Sequence, residues 1–271
     1  MNRSDFITPE VETDTLESLS EKLLHTTAQL MTANRQLEQF QKERSEMLSN
    51  ISHDLRAPIT AIRSALDLMT SRPDATVTEL RDTLQLIDRR TATLENLIQD
   101  MYLLFTVENP TSQMQLETIE AAPFLEEYFF DISLQTLYEP HNLTLDMPET
   151  LSGHICIDPQ KMLRVLDNLF TNAAKYSGDD TTITLRVRSL PEHEQLLIEV
   201  IDNGIGIPAE ALSRIFDRTY TVSRARTPGS TAGSGLGLCI VRTIIERFGG
   251  EVCCESTLGK GCCFRILLPL I

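Results

Sequence analysis

No apolar run in the 271-residue chain approaches the roughly 20 residues that a membrane-spanning helix requires. The first residues, MNRSDFITPEVETDTLESLSEK, also lack the apolar stretch of a secretory signal. Both absences point to a cytoplasmic protein with no direct membrane insertion. Basic residues are scarce: 24 Lys and Arg against 39 Asp and Glu leave a formal net charge of −15. Nucleic acid and anionic membrane surfaces both need a lysine and arginine footprint, so neither is expected as a partner. Internal repeats and low-complexity tracts are missing. What remains is 41% hydrophobic and 23% charged, an ordinary globular balance with length for one large or two modest domains.

The six cysteines are Cys156, Cys239 and the doublets Cys253–Cys254 and Cys262–Cys263. The doublets flank STLGKG, which reads as a hairpin turn. Neighbouring strand residues face opposite sides, so each face has room for one cross-strand pair, a disulfide or a metal site. The preferred reading is small apolar residues in a reduced strand pair.

Along residues 16–51, Leu16, Leu19, Leu23, Leu30, Ala33, Leu37, Phe40, Met47 and Ile51 recur at heptad spacing, with Thr26 and Arg44 at the weak positions. This predicts a parallel coiled coil. The helical pattern continues through Leu55, Ile59, Ile62, Leu66 and Met69 and stops at Ser71-Arg72-Pro73-Asp74, where Pro73 favours a break. A second amphipathic helix carries Val77, Leu80, Leu84, Ile87, Leu94, Leu97, Met101 and Leu104 and ends before Glu108-Asn109-Pro110. Two such helices form an antiparallel hairpin with an apolar stripe left over. Two copies are therefore expected to pair into a four-helix bundle. Beyond about residue 115, strand-like segments at 143–146, 182–188, 196–202, 251–255 and 262–268 alternate with helical patterns at 123–138, 159–175, 208–214 and 236–248. That predicts an α+β layer, one mixed sheet with helices on one face.

Four motifs carry chemistry. In Ser52-His53-Asp54-Leu55-Arg56-Ala57-Pro58, a carboxylate beside a histidine can fix the ring tautomer and leave one nitrogen nucleophilic. Pro58 is expected to kink the helix just beyond it. In DPQKMLRVLDNLFTNAAKYS, Asn168, Asn172 and Lys175 share one helix face. Two carboxamides beside an ammonium suit magnesium carried in with phosphates, and Tyr176 is placed to pack on a purine. Asp202-Asn203-Gly204-Ile205-Gly206-Ile207-Pro208 follows a strand. Its glycines allow close backbone approach, and its carboxylate can accept from an adenine amino group. Gly233-Ser234-Gly235-Leu236-Gly237-Leu238 opens an apolar helix, a geometry that binds anions on backbone N–H groups. Residues 217–233, with Arg218, Arg224, Arg226 and Pro228, read as a lid whose arginines meet phosphate charge. The other histidines, His25, His141, His154 and His193, read as solvated side chains.

Taken in order, these motifs resemble those of the sensor histidine kinases of two-component systems. SHDLRAP is similar to the phosphoacceptor box, DNLFTNAAKYS to the asparagine box, DNGIGIP and GSGLGL to the two glycine boxes, and IFDRTYTVSRAR to the phenylalanine box. The resemblance covers about residues 45–268. It implies an N-terminal region and coiled-coil signalling helix at 1–44, a helical dimerisation and phosphotransfer domain at 45–107, and an ATP-binding α/β sandwich at 116–271. That sandwich is of the class shared with gyrase, heat-shock chaperones and mismatch-repair ATPases.

It further implies that His53 accepts phosphate from ATP and Asp54 orients it. Asn168 and Asn172 would hold Mg2+, and Lys175 the phosphates. Tyr176 and Asp202 would hold the adenine, with Gly204, Gly206, Arg226, Gly233, Gly235, Leu236 and Gly237 around the nucleotide. Implied partners are a second copy, the receiver domain of a response regulator and a separate sensor protein at the N-terminal helix. Large motion at residues 107–116 is implied as well. Departures from the family pattern are Ala57, where threonine or asparagine is usual, and Thr219 and Thr221 in the phenylalanine box. Ala57 predicts weak phosphatase activity, because alanine cannot position water. The rival readings are a nucleotide-sensing scaffold without kinase activity and a chaperone-like or DNA-directed ATPase; the second leaves the His-Asp-Pro helix unexplained.

Overall fold

The computed structural model describes residues 10–72, 76–109, 112–178, 180–218, 220–221 and 235–271. Helix α1 runs from Glu10 to Ser71 and contains Pro58 without interruption. Leu19, Leu23, Leu30 and Leu37 are each more than half exposed along it. The side chains of Leu16, Phe40, Arg44 and Met47 lie outside the described set, as does the Pro73-Asp74 break. Helix α2 spans Val77–Glu108 and completes the helical hairpin. A capping box starts it: the Glu79 carboxylate accepts from the Thr76 N–H at 2.8 Å, and the Thr76 hydroxyl accepts from the Glu79 N–H at 3.3 Å. Among the described residues no helix is long and apolar enough to cross a membrane.

The remainder is mixed α and β. Strand β1 (Glu117–Glu120) and strand β3 (His154–Ile157) pair antiparallel as a two-stranded sheet. Strands β2 (Asn142–Asp146), β4 (Thr182–Leu190), β5 (Gln195–Asp202), β6 (Glu251–Thr257) and β7 (Gly261–Pro269) form the main sheet. Its order is β2-β4-β5-β7-β6, parallel at β2–β4 and antiparallel elsewhere. Helix α3 (Ala121–Ser133) gives way to a 3₁₀ turn at Thr136–Tyr138, so the expected 123–138 helix is two pieces. Helices α4 (Pro159–Tyr176), α5 (Ala209–Leu212) and α6 (Gly237–Arg247) follow.

Alternation decides the core. Ile183, Leu185, Val187, Leu196, Ile198, Val200, Phe264, Ile266 and Leu268 are buried on one sheet face. Helix α4 contributes Met162, Val165, Leu166, Leu169 and Phe170, and α6 contributes Ile240, Val241, Ile244 and Ile245. Each full burial of such a side chain contributes about 1.5–3 kcal/mol. The other face carries a charge ladder in register. Asp146 meets Arg186 at 2.8 Å, Arg186 meets Glu199 at 3.3 Å, and Glu199 meets Arg265 at 2.7 Å, with Glu255 pairing to Arg265 at the end. Burial by itself would raise the Glu199 carboxyl. Bonds from Arg265, the Cys263 thiol and Arg186 outweigh it and hold the group below its ordinary range.

Helix α2 also packs on this domain. Asp100, Leu104 and Val107 are buried, and Asp100 pairs with Arg164 of α4. Arg247, in the last turn of α6, donates to the carbonyls of Val107, Asn109 and Ser112 at 2.7, 3.1 and 2.9 Å. Asp158 anchors the far end of the same connection, accepting from the Gln115 N–H at 3.2 Å.

Candidate functional site

Helix α4 is positioned at its start by Asp158, which caps it by accepting from the Lys161 N–H at 3.2 Å, with Pro159 preset for the first turn. Its buried stripe fixes the rotation, which leaves Asn168, Asn172 and Lys175 half-buried and Tyr176 45% exposed. The Lys175 ammonium lies 5.2 Å from the centroid of the Tyr176 ring. Burial lowers Lys175 and raises Tyr176 from their ordinary values. An ammonium so destabilised gains most from a polyphosphate nearby.

Two glycine motifs close on this helix. A Cβ at Gly204 would lie 2.6 Å from the Tyr176 carbonyl oxygen, 2.7 Å from the Ser177 hydroxyl oxygen and 3.0 Å from Asp202 Oδ1. The Ile205 N–H donates to the Tyr176 carbonyl at 3.1 Å. Asp202 ends β5, is 7% exposed, and accepts on Oδ1 from the Gly204 N–H at 2.9 Å and the Cys262 N–H at 3.3 Å. Burial raises its carboxyl above the ordinary range, although those two N–H groups pull the other way. Gly206 adopts φ +69°, and a side chain there would collide with the Thr257 carbonyl at the end of β6. The second motif opens α6 with no capping side chain. A Cβ at Gly237 would lie 3.1 Å from Asn168 Oδ1, and Leu236 is fully buried beneath it. Gly235 has φ +69°.

Two buried side-chain polar atoms among the described residues lack any hydrogen-bond partner: Asn168 Nδ2 and Ser177 Oγ. The Ser177 hydroxyl abuts Gly204, and the Asn168 carboxamide abuts Gly237 through its oxygen. Buried polar groups are nearly always paired, so this coincidence marks a place where a ligand completes the bonding. Carboxamide and hydroxyl groups beside a lysine fit a nucleotide phosphate with its hard cation. Ser177 escapes the sequence reading because it sits two residues beyond the helical pattern, as the cap of α4.

Other expected residues are placed differently. His53 is exposed on α1, Asp54 is half-buried, and Ala57 is exposed one turn later. Arg218 pairs with Glu108 of α2 at 2.6 Å. Phe216 packs edge-on against Phe264 at 6.5 Å. Arg224, Arg226, Pro228, Thr219 and Gly233 lie outside the described residues. The cysteine doublets are offset by two positions: Cys254 opposes Phe264 and Cys262 opposes Ser256, so no cysteine directly faces another. All six are free thiols.

The profile described as "His Kinase A (phospho-acceptor) domain" matches residues 43–110, and that of "Histidine kinase-, DNA gyrase B-, and HSP90-like ATPase" matches residues 157–271. The chain belongs to the sensor histidine kinases. Among curated relatives, the sensor protein kinase WalK of Staphylococcus aureus strain MRSA252 is 32% identical over 233 residues. That match takes in 86% of this chain and 38% of the relative. Another WalK of Staphylococcus aureus is 31% identical over 240 residues, covering 86% of this chain and 55% of the relative. This histidine kinase chain thus spans between about two-fifths and just over half of these relatives. Among solved structures, the histidine kinase AdeS of Acinetobacter baumannii aligns with TM-score 0.60 at 21% identity, over 80% of this chain and 98% of that one. Histidine kinase ThkA, solved with response regulator protein TrrA, aligns at 0.66 and 22% identity, over 83% and 61%. Both likenesses are of fold.

Proposed function

We propose that the chain is an ATP-dependent protein-histidine kinase of a two-component system, phosphorylated on His53. ATP binds between α4 and the glycine motifs. Asn168 and Asn172 would hold Mg2+, Lys175 the phosphates, and Tyr176 and Asp202 the adenine, with Gly204, Gly206, Gly235, Leu236 and Gly237 as backbone walls. Bound magnesium would neutralise phosphate charge. An imidazole nitrogen of His53, its tautomer set by Asp54, attacks the γ-phosphorus; the bond to the bridging oxygen breaks and ADP leaves. The phosphoryl group then passes to a receiver-domain aspartate of a response regulator. Positioning and charge stabilisation supply the catalysis.

The observation that carries this reading is the pair of orphaned buried groups, Asn168 Nδ2 and Ser177 Oγ, on side chains that abut Gly237 and Gly204. The exposure of His53 supports it, because a phosphoacceptor buried in its own helix pair would be out of reach. Further support comes from relatives in which nucleotide and regulator are seen: ShkA was solved with AMPPNP, and ThkA with TrrA. The functional chain is a homodimer, since its helices expose apolar stripes that a second copy would cover. Residues 1–44 act as the signalling helix, open to a separate sensor protein; 45–107 carry the phosphoacceptor and 116–271 the catalysis, in the cytoplasm.

Incubation with γ-labelled ATP tests the reading. Acid-labile, alkali-stable label that disappears in His53→Gln is expected. Nucleotide binding without label would favour a scaffold, and phosphate release independent of His53 a plain ATPase. Ala57 leads to a further expectation: the purified protein dephosphorylates its regulator poorly, and Ala57→Thr improves it.

A further inference from the structure

The kinase reading leaves the cysteine doublets without a role, yet the sheet register brings half of them to the nucleotide site. Cys262 lies opposite Asp202 on β5 and opposite Ser256 on β6. Opposed residues share a face, and Cys254 is two residues from Ser256, so Cys254, Ser256, Cys262 and Asp202 all project toward the helices. Cys253 and Cys263 project to the other side, among the ladder charges. Cys262 touches Asp202 of the proposed adenine site and the Ser256 hydroxyl that holds the adjoining loop. Its N–H donates to Asp202 Oδ1 at 3.3 Å, and its sulfur lies 3.3 Å from Ser256 Oγ. That hydroxyl accepts from the Ile207 N–H at 2.8 Å and donates to the Gly261 carbonyl at 2.7 Å. Both Cys254 and Cys262 are partly open to solvent.

The two thiols differ in character. A hydrogen bond from Cys254 holds the Cys262 thiol below the ordinary range, and burial opposes this. The same pairing, with burial, pushes Cys254 up, so Cys254 keeps its proton when Cys262 loses one. Burial pushes Cys239 and Cys253 up, and Cys263 up to about 11. Reactivity follows the thiolate, which selects Cys262 over these three.

We propose that Cys262 and Cys254 are a peroxide-oxidised pair whose disulfide closes the nucleotide site. The Cys262 thiolate attacks one oxygen of hydrogen peroxide; the S–O bond forms, the O–O bond breaks, and the second oxygen leaves as water after taking a proton. Sulfur is oxidised and peroxide reduced. The Cys254 sulfur then attacks the Cys262 sulfur; the S–S bond forms, the S–O bond breaks, and the hydroxyl leaves as water with the Cys254 proton. Two thiols and one peroxide give one disulfide and two waters.

Diagonal neighbours in a relaxed ladder sit roughly 7 Å apart at Cα, slightly beyond what a disulfide spans, so closure drags β6 along β7. The turn between these strands holds the Gly204–Ile207 loop: the Gly259 N–H donates to the Ile205 carbonyl at 2.7 Å, and Gly206 packs on Thr257. Sliding the strands therefore displaces the loop from Asp202 and Tyr176.

The test uses the full chain, reduced and then exposed to hydrogen peroxide, with ADP affinity read by calorimetry and disulfides by non-reducing peptide mapping. Expected are a Cys254–Cys262 cross-link, at least about tenfold weaker ADP binding, recovery with dithiothreitol, and protection by prior saturation with Mg-ADP. Cys254→Ser gives no cross-link, and Cys262→Ser keeps the ADP affinity of its own reduced state. Unchanged affinity in cross-linked protein, loss of affinity without the cross-link, or full sensitivity in Cys262→Ser would each overturn the proposal. It rests on the nucleotide reading; failure of the reduced protein to bind ADP would instead overturn that reading.

Discussion

Helix α4 and the described stretch of α1 before His53 are written in the same alphabet, with apolar residues at helical spacing, and end up in opposite circumstances. In α4, Met162, Val165, Leu166, Leu169 and Phe170 are fully buried. In α1, Leu23 remains 70% exposed and Leu19, Leu30 and Leu37 fare little better. The difference is the partner surface. A five-stranded sheet faces α4 within the same chain, whereas the α1 stripe has no such cover. One region supplies its own cover, and in the proposed homodimer a second copy would cover the other.

Phe170, which meets Tyr128 and Tyr138 edge-on at 5.6 and 6.3 Å, is the anchor of the self-sufficient core. Phe170→Ala should cost about 3–5 kcal/mol in urea unfolding, by the same amount at every protein concentration. A loss that varied with concentration would mean that this domain leans on the dimer. Replacing Leu23 and Leu30 together by Glu should weaken self-association by about 3 kcal/mol in sedimentation equilibrium while ADP affinity stays put.

Glu199→Gln should cost about 1–3 kcal/mol, because it leaves two arginines facing each other without their anion. The Glu199 carboxyl is held below its ordinary range, so its contribution is complete above the ordinary glutamate range and is lost as pH falls through its lowered native value. The variant should accordingly show a shallower acid limb in unfolding midpoint against pH. Asp202→Asn should have the smallest effect on stability, and in the opposite direction. A carboxyl raised by burial costs stability above its native value, a cost relieved as pH falls. The variant should match or slightly exceed the wild type in melting temperature at neutral pH, with the gap closing toward acid, while ADP affinity collapses.

Much of the fold could be read from the residues because period and caps coincide there. Asp158-Pro159 announces α4, Asn109-Pro110 closes α2, and DNGIGIP follows an alternating strand. The pair β1 and β3 was not legible, since ETIE and HICI are too short to show a period. Leu134 and Leu137 continue the spacing of α3 after the chain has turned, which hid the 3₁₀ segment. The pairing of Arg218 with Glu108 joins residues far apart in the chain, and no local pattern announces it. Register was invisible too: the turn STLGKG was evident, but which cysteine would stand beside Asp202 depends on how two strands slide.

The ladder from Asp146 to Glu255 has a consequence for how the sheet assembles. Every rung joins unlike charges contributed by different strands, and side chains alternate faces, so a slip of β7 by one position would drive Arg265 in among Ile198 and Val200 and turn Ile266 out among the charges. Misaligned intermediates thus forfeit five charges at once, and the correct arrangement is the one in which all of them find counterions. The row works as a proofreading mark, completed only when β2 at one edge and β6 at the other have both arrived.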